Sequence, residues 1–182
     1  MKFETTDISG VLIVRPNIHN DPRGAFMRIH ARQDFAEQGI NAEPAQCSLS
    51  YNLKRGTVRG LHYQLAPNNE AKLVVCLTGR MYDAVVDLRR SSTTFGRAIG
   101  IPLSPGADAM VYVPEGCAHG FQTLEDDTTL LYMISTPYEA SAARGLRWDD
   151  PALGLEWPIR EAASLSDRDR TLPLLSELDT FF

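Results

Sequence analysis

Short apolar segments separated by turn-forming residues are the feature that most limits the fold of this chain. Val11 to Val14 ends close to Pro16, and residues 26–30 follow a turn-forming run at 21–24. Similar segments occupy residues 73–77, 81–88, 99–103, 110–113 and 128–135. Many short strands at turn-length spacing are typical of a β-sandwich or a β-barrel. We therefore expect an all-β fold.

The glycine at position 79 predicts a β-hairpin between residues 73–77 and 81–88, because glycine is favoured in tight hairpin turns. Helix signals are few. Residues 32–38 predict a short helix that ends at Gly39, and residues 172–178 predict another. The chain has no internal repeat and no linker, so we expect residues 1–182 to form one domain with a short helical C-terminal segment.

The segment from Leu130 to Ile134 is apolar on both alternating sets of positions. Such a strand is expected to be covered on both faces. A homodimer interface is the simplest cover in a sandwich of this size, and we expect the N-terminal segment to contribute to it. The alternative cover is a loop of the same chain.

Charge and composition exclude several classes of function. The net charge is −5 with both signs mixed along the chain, so no basic stripe marks a nucleic-acid surface. Residues 1–7 lack the apolar core of a signal peptide, and no apolar run approaches a membrane-spanning length. The three cysteines, at positions 47, 76 and 117, form no CxxC pair, which fits a reducing compartment, and we expect all three to be buried. We predict a cytoplasmic protein that binds neither nucleic acid nor membrane.

Residues 56–64 combine two glycines, an arginine and a histidine in one predicted strand. Glycine inside a strand often marks a bulge or a close approach to another group. Strict alternation would place Arg59 and His62 on opposite faces, so both line one site only if the strand bulges or twists near Gly60. The alternative is a surface arginine beside a hydrogen-bonded core histidine.

Residues 114–121 contain the pattern PxGxxH, which resembles the second half-motif of the cupin superfamily of small β-barrels. Gly56 and His62 fit the first half-motif, but Gln64 replaces its second histidine and Glu70 comes slightly late. His62 and His119 alone are a weak ligand set for a transition metal. We therefore expect no catalytic metal, and a metal-dependent cupin enzyme is kept as an alternative.

Two further features have simple structural interpretations when each is taken alone. Tyr132 would ordinarily be a buried tyrosine with a hydrogen-bond partner. Ser164 to Arg170 would ordinarily be a solvated polar turn that caps a helix.

Taken together, these segments resemble the dTDP-4-dehydrorhamnose 3,5-epimerase family. The runs RGLHYQ at 59–64, PxGxxHGF at 114–121 and WDDP at 148–151 follow the family order, and the resemblance covers roughly residues 5–175. It implies a cupin-type jelly-roll fold, a homodimer, and no metal or organic cofactor. It also implies an isomerase that acts on a nucleotide-linked 4-keto-6-deoxy sugar and supplies a rhamnose-type precursor for polysaccharide.

The resemblance implies four catalytic residues. His62 matches the base that removes a proton beside the ketone, a task that suits an imidazole. Asp169 matches the carboxylate that orients this base. Lys72 matches the cation that stabilises the enolate, with Arg59 nearby. Tyr132 matches the acid that returns a proton on the opposite face.

The resemblance also implies substrate-binding residues. Arg23 matches a diphosphate contact that comes from the neighbouring subunit. Arg168 stands where a lysine is usual, and either side chain can bind phosphate. The other implied positions are Phe26, Gln46, Ser48, Arg59 and His119, of which the last is expected to act through hydrogen bonding.

Two positions depart from the family pattern on the nucleotide side. Arg28 stands where a glutamate is expected, and Ser48 stands where many members carry asparagine. Arginine offers only hydrogen-bond donors, so it cannot reproduce the contacts of a carboxylate. These departures leave the nucleotide base and the sugar open.

The predicted reaction is epimerisation at C3 and C5 of dTDP-4-dehydro-6-deoxyglucose, which gives dTDP-4-dehydro-L-rhamnose. One alternative is epimerisation at C3 or C5 alone, or on another nucleotide sugar. A metal-dependent cupin enzyme and a non-catalytic sugar-nucleotide binder are the others. The binder is disfavoured because all four implied catalytic residues are present.

Overall fold

The computed structural model describes residues 1–41, 43–105, 109–179 and 182. Two short helices are described, α1 (Arg32–Ala36) and α2 (Asp167–Arg170), and 3-10 turns lie at Pro151–Leu153 and Leu175–Glu177. In the described ranges, no helix is both long enough and apolar enough to cross a bilayer. The strands are β1 (Lys2–Thr5), β2 (Leu12–Arg15), β3 (Ile18–Asp21), β4 (Gly24–Met27), β5 (Gln46–Asn52), β6 (Val58–Gln64), β7 (Lys72–Thr78), β8 (Met81–Asp87), β9 (Ala98–Leu103), β10 (Met110–Val113), β11 (Cys117–Thr123), β12 (Thr128–Ile134) and β13 (Ala143–Gly145).

Two antiparallel sheets face each other. One sheet has the order β1-β2-β10-β7-β12-β5, and the other has the order β13-β6-β11-β8-β9. Val74 and Leu130 of the first sheet meet Val85 and Phe121 of the second in a buried cluster. β3 and β4 form a separate hairpin. The chain therefore folds as a jelly-roll sandwich, which confirms the all-β prediction.

Alternation along β12 decides which of its side chains lie between the sheets. Leu130 is buried in the central cluster, so Tyr132 and Ile134 point the same way. Leu131 and Met133 point outward and pack in a second cluster that includes Phe35 of α1. Both faces of this strand are covered, as predicted, and α1 of the same chain supplies part of the outer cover. The predicted dimer interface stays a prediction.

The predicted hairpin between residues 73–77 and 81–88 is wrong. β7 lies between β10 and β12 in the first sheet, whereas β8 lies between β11 and β9 in the second. Gly79 takes a φ of +72° at this connection, where a side chain would clash with Thr128. A tight glycine turn serves a hairpin and a crossover between facing sheets equally well. The turn signal was therefore correct, and the pairing inferred from it was not.

The C-terminal segment covers the outer face of the second sheet. Leu175, Leu178 and Phe182 pack against Leu61 and Tyr63. The helix predicted at 172–178 is only a 3-10 turn at Leu175–Glu177, while the helix predicted at 32–38 is present as α1.

One of the three cysteines differs from its predicted burial. Cys76 and Cys117 are buried, but Cys47 is exposed. Cys47 lies on β5, an edge strand, and its outward neighbours Leu49 and Tyr51 are 67% and 56% exposed. The outward apolar side chains of this strand are thus left exposed within the described chain.

Candidate active site

A cavity of about 590 Å³ opens between the two sheets, where α2 lies against β6. Its size is typical of a small-molecule site. Side chains from both sheets and from the segment around α2 line it. Eight of the eleven predicted site residues are among them: Gln46, Arg59, His62, Lys72, His119, Tyr132, Arg168 and Asp169.

A bulge in β6 brings Arg59 and His62 to the same face. His62 pairs with His119 and Arg59 with Phe121, so three residue steps along β6 span two steps along β11. Gly60 has a φ of +119°, and a Cβ on it would lie 2.6 Å from the Cα of Gly120. Only glycine permits this approach, because any side chain would force the strands apart. The predicted irregularity near Gly60 is confirmed.

His62 forms a short hydrogen bond with Asp169, with 2.6 Å between Nε2 and Oδ1. A carboxylate only accepts hydrogen bonds, so Nε2 must carry the ring proton. In the neutral ring, Nδ1 then holds the unprotonated lone pair. Because 38% of the His62 side chain is exposed, that lone pair can meet a ligand in the cavity. The pair therefore has the geometry of an oriented general base.

The start of α2 holds Asp169 in place. Ser166 caps the helix, and its Oγ accepts a hydrogen bond from the Asp169 N–H at 3.0 Å. The Gly60 N–H donates to Asp169 Oδ2 at 3.2 Å. Burial pushes the pKa of Asp169 upward, but the hydrogen bond and charge of His62 and the Gly60 N–H outweigh it, so the net shift is downward. The polar run at 164–170 is thus part of the site wall rather than only a solvated turn.

Lys72 lies at the start of β7 with its side chain between the sheets. Its Nζ is 2.8 Å from Glu70 Oε1 and 3.5 Å from the main-chain oxygen of His62. The Lys72 and Glu70 side chains are each only 9% exposed. A cation is therefore fixed at the cavity wall close to the main chain of His62, where it can stabilise negative charge that develops in the cavity.

Arg59 is oriented by a buried asparagine. Its Nε donates to Asn52 Oδ1 at 2.8 Å. The Asn52 amide nitrogen donates to the main-chain oxygens of Ser50 and Thr128, each at 3.1 Å, which fixes the direction of the amide. Arg59 also lines the cavity, so this contact holds its guanidinium at the cavity wall.

His119 also pairs with a carboxylate. Its Nε2 lies 2.7 Å from Asp83 Oδ1, and both residues are buried. Among the described residues, Asp83 Oδ2 has no hydrogen-bond partner. Burial raises the pKa of Asp83, and His119 offsets only part of this shift. Each of the two cavity histidines therefore has its own aspartate, and the described residues contain no group of three or more His, Cys, Asp or Glu side chains that could hold a metal ion.

Tyr132 reaches the cavity from the sheet opposite His62. Its ring meets that of His119 edge to face, with 5.8 Å between centroids. Removal from water raises the pKa of Tyr132 well above its usual range, and Asp83 raises it further, while Arg59 has a smaller opposing effect. The phenol therefore keeps its proton at neutral pH and is available as a donor.

Three predicted site residues lie outside this cavity. Arg23 and Phe26 lie on the β3–β4 hairpin, where the Arg23 side chain is 90% exposed and bonds to Asp21 at 2.6 Å. Ser48 pairs with Tyr132 across β5 and β12, so it shares the inner face, but it is exposed and does not line the cavity. The single chain does not bring these three residues to the others.

Several cavity groups were not predicted as site residues from the sequence. Glu70, Tyr138 and Arg144 line the cavity. Gln64, in the place of a cupin histidine, accepts a hydrogen bond from the Glu139 N–H at 2.6 Å and donates to the Pro137 oxygen at 3.2 Å. Its role is therefore to hold the loop that carries Tyr138. Burial of Glu70, which marks it as a partner of Lys72, could not be inferred from local spacing.

Comparisons with known proteins agree with this geometry. The sequence profile of the dTDP-4-dehydrorhamnose 3,5-epimerase family matches residues 5–177. The chain is 40% identical to the dTDP-4-dehydrorhamnose 3,5-epimerase of Sinorhizobium fredii, covering 100% of this chain and 93% of that protein. It is 38% identical to the dTDP-4-dehydrorhamnose 3-epimerase of Streptomyces niveus, covering 97% and 85%.

A solved structure shows the same likeness in three dimensions. The dTDP-4-dehydrorhamnose 3,5-epimerase of Bacillus anthracis, crystallised with TDP and PPi, matches with a TM-score of 0.92 and 36% identity, covering 96% of this chain and 99% of that one. The oriented histidine, the buried lysine and the opposing phenol thus lie within a fold and a sequence that both match along nearly their whole length. The chain belongs to the dTDP-4-dehydrorhamnose 3,5-epimerase family.

Proposed function

We propose that this protein epimerises C3 and C5 of dTDP-4-dehydro-6-deoxy-D-glucose, giving dTDP-4-dehydro-L-rhamnose. The observation that carries the proposal is the His62–Asp169 pair, with His62 on one sheet, facing Tyr132 on the other sheet across one cavity. A base and an acid on opposite walls can remove a proton from one face of a sugar and return one to the other face. The profile match over residues 5–177 supports the same chemistry.

The first step is removal of the proton on a carbon beside the C4 ketone. Nδ1 of His62 takes this proton, and Asp169 stabilises the imidazolium that forms. The electron pair of the broken C–H bond forms a double bond to C4, and the π electron pair of the C4 carbonyl moves onto the ketone oxygen, which becomes negatively charged. Lys72 donates a hydrogen bond to this enolate oxygen, and Arg59 adds positive charge nearby.

The second step returns a proton to the same carbon from the opposite face. Tyr132 supplies it, because its protonated phenol lies on the cavity wall opposite His62. His62 then loses its extra proton and Tyr132 regains one. The same ketone acidifies both C3 and C5, so the two positions are epimerised by the same groups.

The nucleotide end of the substrate needs cations for its diphosphate. Arg168 and Arg144 line the cavity and are suited to this contact. We propose that the remaining contacts, from Arg23 and Phe26, come from a second copy of the chain in a homodimer. The exposed Leu49 and Tyr51 on β5 supply an uncovered apolar edge for such an interface.

A narrower reaction, epimerisation at C3 alone, is the second candidate. The observation behind it is that the chain is 38% identical to the 3-epimerase of Streptomyces niveus, almost the same as its 40% identity to the 3,5-epimerase of Sinorhizobium fredii. Overall similarity therefore does not separate the two reactions. The cytoplasmic location and the supply of a polysaccharide precursor stay predictions.

Turnover of dTDP-4-dehydro-6-deoxyglucose in deuterated water tests the proposal. Each epimerised carbon takes up solvent deuterium, which mass spectrometry counts and NMR assigns. Label at both C3 and C5 with inverted configuration is the expected result. Label at C3 alone would establish the narrower reaction, and no label at either carbon would refute both.

A further inference from the structure

The contact between Glu70 and Lys72 has a role that the reaction steps leave unassigned. Glu70 lies just before β7, lines the cavity and places Oε1 2.8 Å from Lys72 Nζ. Both side chains are only 9% exposed, so this is an almost fully desolvated ion pair. A buried ammonium without a counter-charge is costly, and breaking one half of such a pair leaves the other charge uncompensated.

The hydrogen bonds of Lys72 define where it can act. An ammonium has three donors and no acceptor. One donor meets Glu70 at 2.8 Å, and a second faces the main-chain oxygen of His62 at 3.5 Å. The directions of these two hydrogen bonds fix the direction of the third N–H donor. Because Lys72 lines the cavity, that donor is the one that can meet a ligand oxygen.

The charge of Glu70 matters as well as its position as an acceptor. Lysine has a long, flexible side chain, and holding it in a single rotamer costs conformational entropy. A charge-assisted hydrogen bond is about twice as strong as a neutral one, so the carboxylate can hold the ammonium where an amide would hold it less firmly. The charge of Lys72 also acts to lower the pKa of Asp83, but the hydrogen bond of Asp83 is with His119.

We propose that Glu70 is a positioning residue, which holds the Lys72 ammonium so that its remaining donor meets the enolate oxygen. This inference rests on the proposed epimerisation. It differs from a direct role for Glu70 on the sugar, in which its carboxylate would bind a substrate hydroxyl. The two roles differ in one respect: a positioning residue acts only through Lys72.

A double-mutant cycle separates the two roles. Glu70→Gln keeps an acceptor of the same shape and removes the charge. We expect kcat to fall about tenfold with KM within about twofold, because the enolate charge exists only after proton removal. In a Lys72→Met background, the same substitution is expected to change kcat by less than about twofold. A tenfold loss that persists in that background would overturn the proposal, because Glu70 would then act without Lys72.

A surface ion pair provides the matched control. Glu125 bonds to Arg80 at 2.6 Å, and these side chains are 44% and 60% exposed. Glu125 does not line the cavity. Glu125→Gln removes one ion-pair carboxylate as Glu70→Gln does, and we expect it to leave both kcat and KM unchanged.

A second readout does not need turnover, so it separates failure of this inference from failure of the proposed reaction. The chain has lysines only at positions 2, 54 and 72, so protein labelled with ¹³C at lysine Cε gives three assignable signals. A fixed Lys72 side chain gives two distinct ε-proton shifts, and we expect them to merge in Glu70→Ala but not in Glu125→Gln. Distinct shifts that survive in folded Glu70→Ala would overturn the proposal. A wild-type protein that is inert toward dTDP-4-dehydro-6-deoxyglucose would refute the proposed reaction, while this spectrum would still decide whether Glu70 holds Lys72.

Discussion

Asp169→Asn tests the proposed base at the point where the structure constrains it most. Asp169 accepts two hydrogen bonds, one from His62 Nε2 at 2.6 Å and one from the Gly60 N–H at 3.2 Å. An amide has the shape of a carboxylate but only one accepting oxygen. It can therefore satisfy His62 or Gly60, but not both.

Either orientation of the amide harms catalysis. If its oxygen meets Gly60, its NH₂ faces His62 Nε2 and drives the ring proton to Nδ1, the nitrogen that must receive the substrate proton. If its oxygen meets His62, the NH₂ opposes the Gly60 N–H, which leaves buried donors unsatisfied at a cost of about 1–3 kcal/mol. Loss of the charge-assisted bond to the imidazolium adds about 1.5–3 kcal/mol. The unsatisfied donors lower the stability of the fold, whereas loss of the charge-assisted bond raises the barrier and corresponds to a loss of about 10- to 10²-fold in kcat. In the orientation that gives the wrong ring tautomer, the loss reaches about 10⁴-fold.

The assay is turnover of dTDP-4-dehydro-6-deoxyglucose, followed by deuterium uptake. We expect KM to change by less than about twofold, because the lost stabilisation belongs to the transition state. Asp167→Asn is the matched control, since Asp167 lies in the same helix but is exposed and does not line the cavity. A folded Asp169→Asn protein with kcat within about tenfold of the wild type would refute the assignment of the His62–Asp169 pair as the base.

Three further predictions follow from the geometry. Tyr132→Phe removes the donor opposite His62, so deuterium uptake is expected to continue while inversion falls by at least about 10²-fold; NMR that finds inversion keeping pace with uptake would contradict the assigned acid. Asp87→Asn is expected to lower the free energy of unfolding by about 2 kcal/mol, because hydrogen bonds from the neighbouring arginine, serine and threonine outweigh burial and lower the Asp87 pKa to about 2. Since the folded pKa lies below the ordinary value of 3.8, this stabilisation is complete above pH 3.8 and lost as pH falls toward 2, and urea titrations at several pH values measure it. Gly60→Ala is expected to cost about 2–4 kcal/mol, because its Cβ would lie 2.6 Å from the Gly120 Cα at a φ of +119°; an unchanged melting temperature would count against the close strand approach.

Local chemistry made some parts of this fold and site predictable. Gly60 predicted the bulge. Arg59 and His62 can share a face only if β6 has one more residue than β11 between the paired positions. The hairpin prediction at Gly79 was wrong, because a turn residue indicates where the chain bends. It does not indicate which strands the two flanking segments will pair with. Pairing depends on which apolar faces meet across the core, and that is a property of the whole sandwich.

Partners distant in sequence were harder to predict from the residues alone. His62 and Asp169 are 107 positions apart, and only the family resemblance connected them before the structure did. Asp83 lies in an apolar strand, and nothing in its neighbourhood shows that its carboxyl will meet a histidine from the adjacent strand. Burial decides the role of such a carboxylate, and burial is known only once the opposing side chains are placed.

The sandwich itself limits how two carbons can be inverted by one site. His62 belongs to β6 and Tyr132 to β12, and these strands lie in different sheets. Neither residue can exchange walls without unfolding the sandwich, so the proposed base approaches from one face and the proposed acid from the other. Inversion at both C3 and C5 therefore requires the sugar ring to present each carbon in turn between the same two groups. The scope of the reaction is then set by whether the cavity lets the ring reach both positions, and the base and acid can be identical in a 3,5-epimerase and a 3-epimerase.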